Sequence, residues 1–196
     1  MAEIMETTIL NIGHTIHAII LTEIKTIIYS ADTKAAPYVK FVLIANTIEF
    51  LGSILDPHPF LQNGESENRF NAALIKYFPK KYSSFAKAGS DVYLYQDFRC
   101  GMIHQLRPSP KIILSERHKG DIHLAFNKEG TKRFLVLEDF YDDLEKAAKA
   151  CISSIQKGKI PDKPKSEIPY LMVKASNTGH TLDNQSKVID PEEKGS

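Results

Sequence analysis

Isoleucine places the tightest constraint on this chain. Ile4, Ile9, Ile12, Ile16, Ile19, Ile20, Ile24, Ile27 and Ile28 recur mostly three or four residues apart, the repeat of one helical face. So many β-branched side chains lower intrinsic helix propensity, but a strand would alternate every second residue. The spacing predicts one long helix over 3–30, with His14 and His17 flanking its buried stripe as ordinary polar residues. A turn follows, and Pro37 suits a first helical position. Residues 38–55 read as a second helix, apolar nearly all round through Val39, Phe41, Val42, Ile44, Ala45, Ile48, Phe50, Leu51 and Ile54. Such a helix belongs at the centre of a bundle or in a dimer interface.

Asp56-Pro-His-Pro-Phe then breaks the chain and puts His58 in a rigid, exposed loop. A third helix is predicted at about 65–78, with Phe70, Leu74, Ile75 and Phe78 inward. A short helical turn follows Pro79, and a fourth helix spans 92–108, its start capped by Ser90 and Asp91 and its end set by Pro108. After Pro110 the period shortens. Runs at 112–115, 122–126 and 133–137, split by charged turns, predict a three-stranded antiparallel meander within about 111–137. His123 would lie opposite the face shared by Ile122, Leu124 and Phe126. A last helix runs from Glu138 to about Gln156 with Cys151 as a small core residue, and 158–196 reads as an extended tail in which only Tyr170–Val173 is apolar enough to dock. The expected architecture is mainly α: a single domain over 1–157 in which the meander is inserted before the last helix of an antiparallel bundle.

Net charge is +1, which gives no overall push toward nucleic acid or membrane. The distribution is uneven, because residues 76–119 hold 9 basic and 3 acidic side chains. Two cysteines, both in predicted helices, fit reduced thiols, and the acidic start lacks the basic region of a signal peptide. Uninterrupted apolar runs are short for a bilayer. The expectation is a cytoplasmic protein without membrane attachment. Phosphate-binding loops, dinucleotide glycine fingerprints, Cys-x2-Cys pairs, His-Glu-x2-His and Gly-x-Ser-x-Gly elbows do not occur. No cofactor is expected.

The chemistry concentrates on the fourth helix. Arg99 and His104 are five residues apart there, so on an α-helix they diverge by roughly 140° and could flank a groove. Gly101 between them suits close approach by a neighbouring helix or by a second copy of this one. The stretch Tyr95-Gln-Asp-Phe-Arg-Cys-Gly-Met-Ile-His-Gln105, with the helical order before it, resembles the Arg-x4-His motif of the HEPN superfamily. That family comprises small helical bundles, many of them nucleases of toxin–antitoxin, defence and RNA-processing systems. The resemblance covers roughly half the chain. It implies a homodimer with motifs meeting across the interface, His104 as acid or base, Arg99 as phosphate ligand, and cyclic-phosphate and 5′-hydroxyl products without a metal. The chain departs from the family at Cys100, where a polar residue, often Asn, follows the Arg, and a thiol is a weak hydrogen-bonding group.

Three readings follow. The favoured one is a HEPN-like, non-catalytic module that dimerises or binds RNA or a protein partner such as a cognate antitoxin. Arg99 would then pair with an acid such as Glu49 or Asp97. Tyr95, Cys100, Gln105, Arg107, Lys80 and Lys81 are the candidate binding residues beside Arg99 and His104. The alternative is a metal-independent endoribonuclease using Arg99 and His104. The third is a metal held by Asp97, Cys100 and His104 on one side of the helix. Geometry separates the first two: an Arg99 satisfied by protein groups favours binding, and both residues in an open positive cleft favour catalysis.

Overall fold

The computed structural model describes residues 12–30 and 36–160. The expected helix over 3–11, the turn at 31–35 and the tail beyond 160, Tyr170–Val173 included, lie outside them. The described chain is mainly helical with one two-stranded parallel sheet.

Helix α1 covers 12–29, π-wound over Ile16–Ile24 and α-wound over Lys25–Tyr29. Its buried side chains are Ile12, Thr15, Ile16, Ile20, Ile24 and Ile28, five of them four residues apart. A strict four-residue step overshoots a 3.6-residue turn by about 40° each time. The wider π winding counters that drift and keeps the isoleucines in line. Helix α2 (Pro37–Leu55) starts on Pro37 as expected and lies at the centre, with Phe41, Ile44, Ala45, Ile48 and Leu51 fully buried. Central placement thus accounts for the buried residues of α2, while Tyr38 and Val39 near its start remain exposed. By length and composition α2 could cross a membrane, but just over half of it is buried inside the fold. Lys40 is buried on α2 and donates to the Ile28 carbonyl, meeting the C-terminal end of α1.

Helix α3 (Ser66–Lys76) packs against α2 so closely that a Cβ on Gly52 would lie 1.7 Å from the Arg69 carbonyl oxygen. Phe70, Leu74 and Phe78 point inward as expected, whereas Ile75 is exposed. A 3-10 helix (Lys80–Ala86) leads to α4, π-wound over Leu94–Cys100 and α-helical over Gly101–Gln105. Strands β1 (Ile112–Ser115) and β2 (Arg133–Val136) follow, and α5 (Leu137–Gln156) closes the core with Phe140, Tyr141, Leu144, Ala147, Ala148 and Cys151. Tyr141 donates its hydroxyl proton to the Ile20 carbonyl in the π-wound part of α1.

The three-stranded antiparallel meander is not what forms. β1 and β2 pair in parallel, Ile112 opposite Arg133 and Ser115 opposite Val136. The middle run keeps only a short antiparallel contact: Leu124 N–H to Phe134 O, Phe134 N–H to Ala125 O and Asn127 N–H to Lys132 O. The Asn127 carboxamide oxygen accepts the Thr131 and Lys132 N–H groups and tightens that turn. Strand alternation fails because His123 turns inward. Leu124 then takes a left-handed φ of 65° and is buried, which throws Ile122 into solvent. With the hairpin arm on one edge of β2, β1 adds to the other.

Candidate functional site

Helix α4 starts later than Ser90 and Asp91 would place it. Ser90 donates to carbonyls of the preceding turn, Asp91 pairs with Arg133, and Leu94 begins the helix. The buried Asp97 carboxylate reaches back to the Tyr93 N–H at 2.8 Å and also takes Lys111 Nζ at 3.2 Å. At the other end, Leu106 adopts a left-handed φ of 54°, and both its N–H and that of Arg107 go to the Gly101 carbonyl. The chain then doubles back, and Ser109 N–H donates to Asp97 O at 2.7 Å. This return explains Gly101. A Cβ there would stand 2.3 Å from Arg107 O, so the close approach comes from the segment just after α4 and not from another helix or a second copy.

The turn separates the two motif residues. Arg99 faces α2, with its side chain only 11% exposed. Its Nε and Nη2 lie 2.8 and 2.6 Å from the same Glu49 oxygen, and its guanidinium sits 5.7 Å from the Tyr95 ring centre. Tyr95 has its pKa raised by burial and then by the neighbouring Cys100. His104 is exposed on the other flank, in a cleft of about 710 Å³ together with Gln96, Cys100, Gln105, Arg107 and Lys132. Tyr38 from α2, Ile112, Ile113 and Leu114 from β1, Asp97 and the returning segment Pro108–Pro110 also line it. Arg99 does not line it.

Of the remaining candidates, Cys100, Gln105 and Arg107 line the cleft. Tyr95 belongs to the Arg99 side. Lys81 is committed elsewhere, 2.6 Å from Asp143, while Lys80 is exposed next to it. Asp97, Cys100 and His104 do not converge as metal ligands. Among the described residues the group that does is Asp56, His58 and Glu65, with ligand atoms within 4.8 Å of one another. Turn geometry accounts for most of that group. Asp56 accepts the His58 backbone N–H, and its other oxygen is held by the buried Arg69, which also bonds the Pro59 and Phe60 carbonyls.

A second polar cluster forms around His123, which strand alternation puts opposite an apolar face and the structure instead turns inward. His123 Nδ1 accepts the Val136 N–H at 3.0 Å, which leaves its proton on Nε2, 2.7 Å from the Tyr82 hydroxyl. Tyr82 in turn donates to Asp143, which also holds Lys81 and Lys146. Burial, and then the Lys81 charge, push the His123 pKa down to about 4. For Asp143, burial raises the pKa, but bonds from Lys81, Lys146 and Tyr82 outweigh it and hold the carboxyl below its ordinary value. The spacing of four residues between Asp139 and Asp143, or the His123 alternation, carries no hint of this. The cluster is assembled from the 3-10 helix, the hairpin arm and α5.

No family model, curated protein or solved structure matches this chain.

Proposed function

We propose that this chain is a HEPN-like helical module that binds an anionic partner through the cleft beside His104 and does not cleave RNA. The observation that carries this reading is the Arg99–Glu49 pair. A cation that steadies a phosphorane must present its N–H groups to the phosphate. Here two of them are on one carboxylate oxygen, and the guanidinium faces away from the cleft that holds the histidine. Cys100 beside it supplies no strong donor. What the cleft offers is Arg107 and Lys132, which make no ion pair among the described residues, a half-exposed tyrosine and an apolar wall. Those features suit recognition. As a module of the toxin–antitoxin or defence type, its partner would be RNA or a cognate protein in the cytoplasm.

The ribonuclease reading keeps one observation in its favour, the exposure of His104 beside Arg107, a cation with no ion pair among the described residues. It also requires a second copy of the chain to complete the site, as the HEPN resemblance implies, whereas binding does not. The two are separated by incubating several RNAs with the wild-type protein, His104→Ala and Arg99→Ala in EDTA and analysing product ends. The binding reading expects intact RNA in all three. Cyclic-phosphate ends from the wild type, lost in both variants, would replace it with catalysis.

A further inference from the structure

The cleft continues past His104. Leu114 and Tyr38 line it and also line a smaller groove of about 150 Å³ with Ser115, Glu116 and Lys119. Ile112, Ile113 and Leu114 line the cleft, and Leu114 and Ser115 line the groove, so β1 runs from one into the other. Among the described residues β1 is an edge strand, hydrogen-bonded to β2 alone. Arg133 N–H donates to Lys111 O, so strand alternation turns the backbone of Ile113 and Ser115 toward β2 and that of Ile112 and Leu114 toward the open edge. Ile112 N–H is taken by Ser109 O. The Leu114 N–H and C=O have no partner among the described residues, and they open between the two grooves.

We infer that the open edge of β1 receives an extended segment of a partner protein, added as a strand at Leu114, with apolar residues against Tyr38 and acidic residues at its flanks. This rests on the reading of the cleft as a binding surface and names what it binds. Strand addition draws affinity from backbone bonds and specificity from alternate side chains, and an unpaired donor and acceptor on one residue is the unit it needs. Charge fixes the flanks. Arg107 and Lys132 at one end and Lys119 at the other lack ion pairs among the described residues, whereas Asp97 is already neutralised by Lys111; Glu116 is the opposing charge. A single-stranded RNA would share the cations, but Phe41 at the groove is fully buried, which leaves Tyr38 and the His104 imidazole as the exposed rings beside a largely aliphatic β1, a sparse stacking platform.

The test selects from a phage-displayed library of random dodecapeptides on the purified full-length chain, then maps the enriched peptides by amide NMR. The expected result is alternating apolar sequences with Asp or Glu at the ends, whose binding shifts and protects the Leu114 amide. N-methylation of the peptide backbone in one register should abolish binding while the other register tolerates it. Arg107→Glu with Lys132→Glu, both on the surface, should weaken binding at least tenfold. No enriched peptide, enrichment of basic peptides, binding mapped away from β1, or an oligo-uridylate perturbing Leu114 where peptides do not would each overturn the assignment. Cyclic-phosphate products in EDTA would instead sink the binding reading beneath it, so the two failures are distinct.

Discussion

The two flanks of α4 are built from neighbouring residues and could hardly differ more. On one, Arg99 is sheathed by Glu49 and Tyr95 and almost removed from solvent. On the other, His104, Gln105 and Arg107 stand in an open cleft. The divider is the U-turn over Gly101, which uses a π-wound first half, a left-handed Leu106 and the Ser109–Asp97 bond. A five-residue spacing that reads as one bipartite site is thereby split into a structural residue and an accessible one. The same contrast separates two histidines: His104 faces the cleft, and His123 is locked between Val136 and Tyr82.

The histidine contrast should give the largest effect. His123 is held neutral by burial, with a pKa near 4 against an ordinary value of 6.5. Between those values the unfolded chain takes up a proton that the folded chain refuses. Stability is therefore complete above pH 6.5 and declines as pH falls to 4, by up to about 3 kcal/mol. Urea unfolding from pH 7 to 4 measures it, and His123→Gln should remove this part of the slope. An unchanged slope would place the histidine in solvent. Next, Gly101→Ala sets a Cβ against Arg107 O. It should cost about 2 kcal/mol, and it should weaken whatever the cleft binds, since the U-turn shapes that wall.

Leu106 is the reverse case. It is 66% exposed at a left-handed φ that glycine adopts without strain. Leu106→Gly should raise the unfolding free energy by about 1 kcal/mol, and a loss would show that its side chain packs after all. The smallest effect belongs to the open flank. His104→Ala should change stability by less than about 0.5 kcal/mol, as surface substitutions do, so that any consequence appears only in binding.

Helices were legible wherever burial follows the helical repeat, as in the isoleucines of α1 and the inward face of α5. Pro37 and the break at Asp56 were legible because proline acts locally. The pairing of Arg99 with Glu49 was open to expectation too, since an apolar helix carrying one acid invites a cation. What stayed hidden is set by contacts between distant segments. Gly52 and Gly101 show only that backbone comes close, not which backbone: α3 in one case, the returning chain in the other. Parallel pairing of β1 with β2 depends on which edge the hairpin arm has already taken. Arg69 looks like a surface residue of an amphipathic helix, yet it is buried as the clamp of the Asp56–Phe60 loop. His123 reads as a strand residue until Leu124 turns left-handed.

Arg99 holds the fold together through Glu49 and is not reserved for a ligand. A double-mutant cycle measures that directly: unfolding free energies of wild type, Glu49→Gln, Arg99→Gln and the double variant. A mostly buried pair with two N–H groups on one carboxylate oxygen predicts a coupling of about 1–2 kcal/mol in favour of the wild-type combination. Independent effects of the two substitutions, with no coupling, would mean the pair does not form in solution, and Arg99 would be free to meet a phosphate.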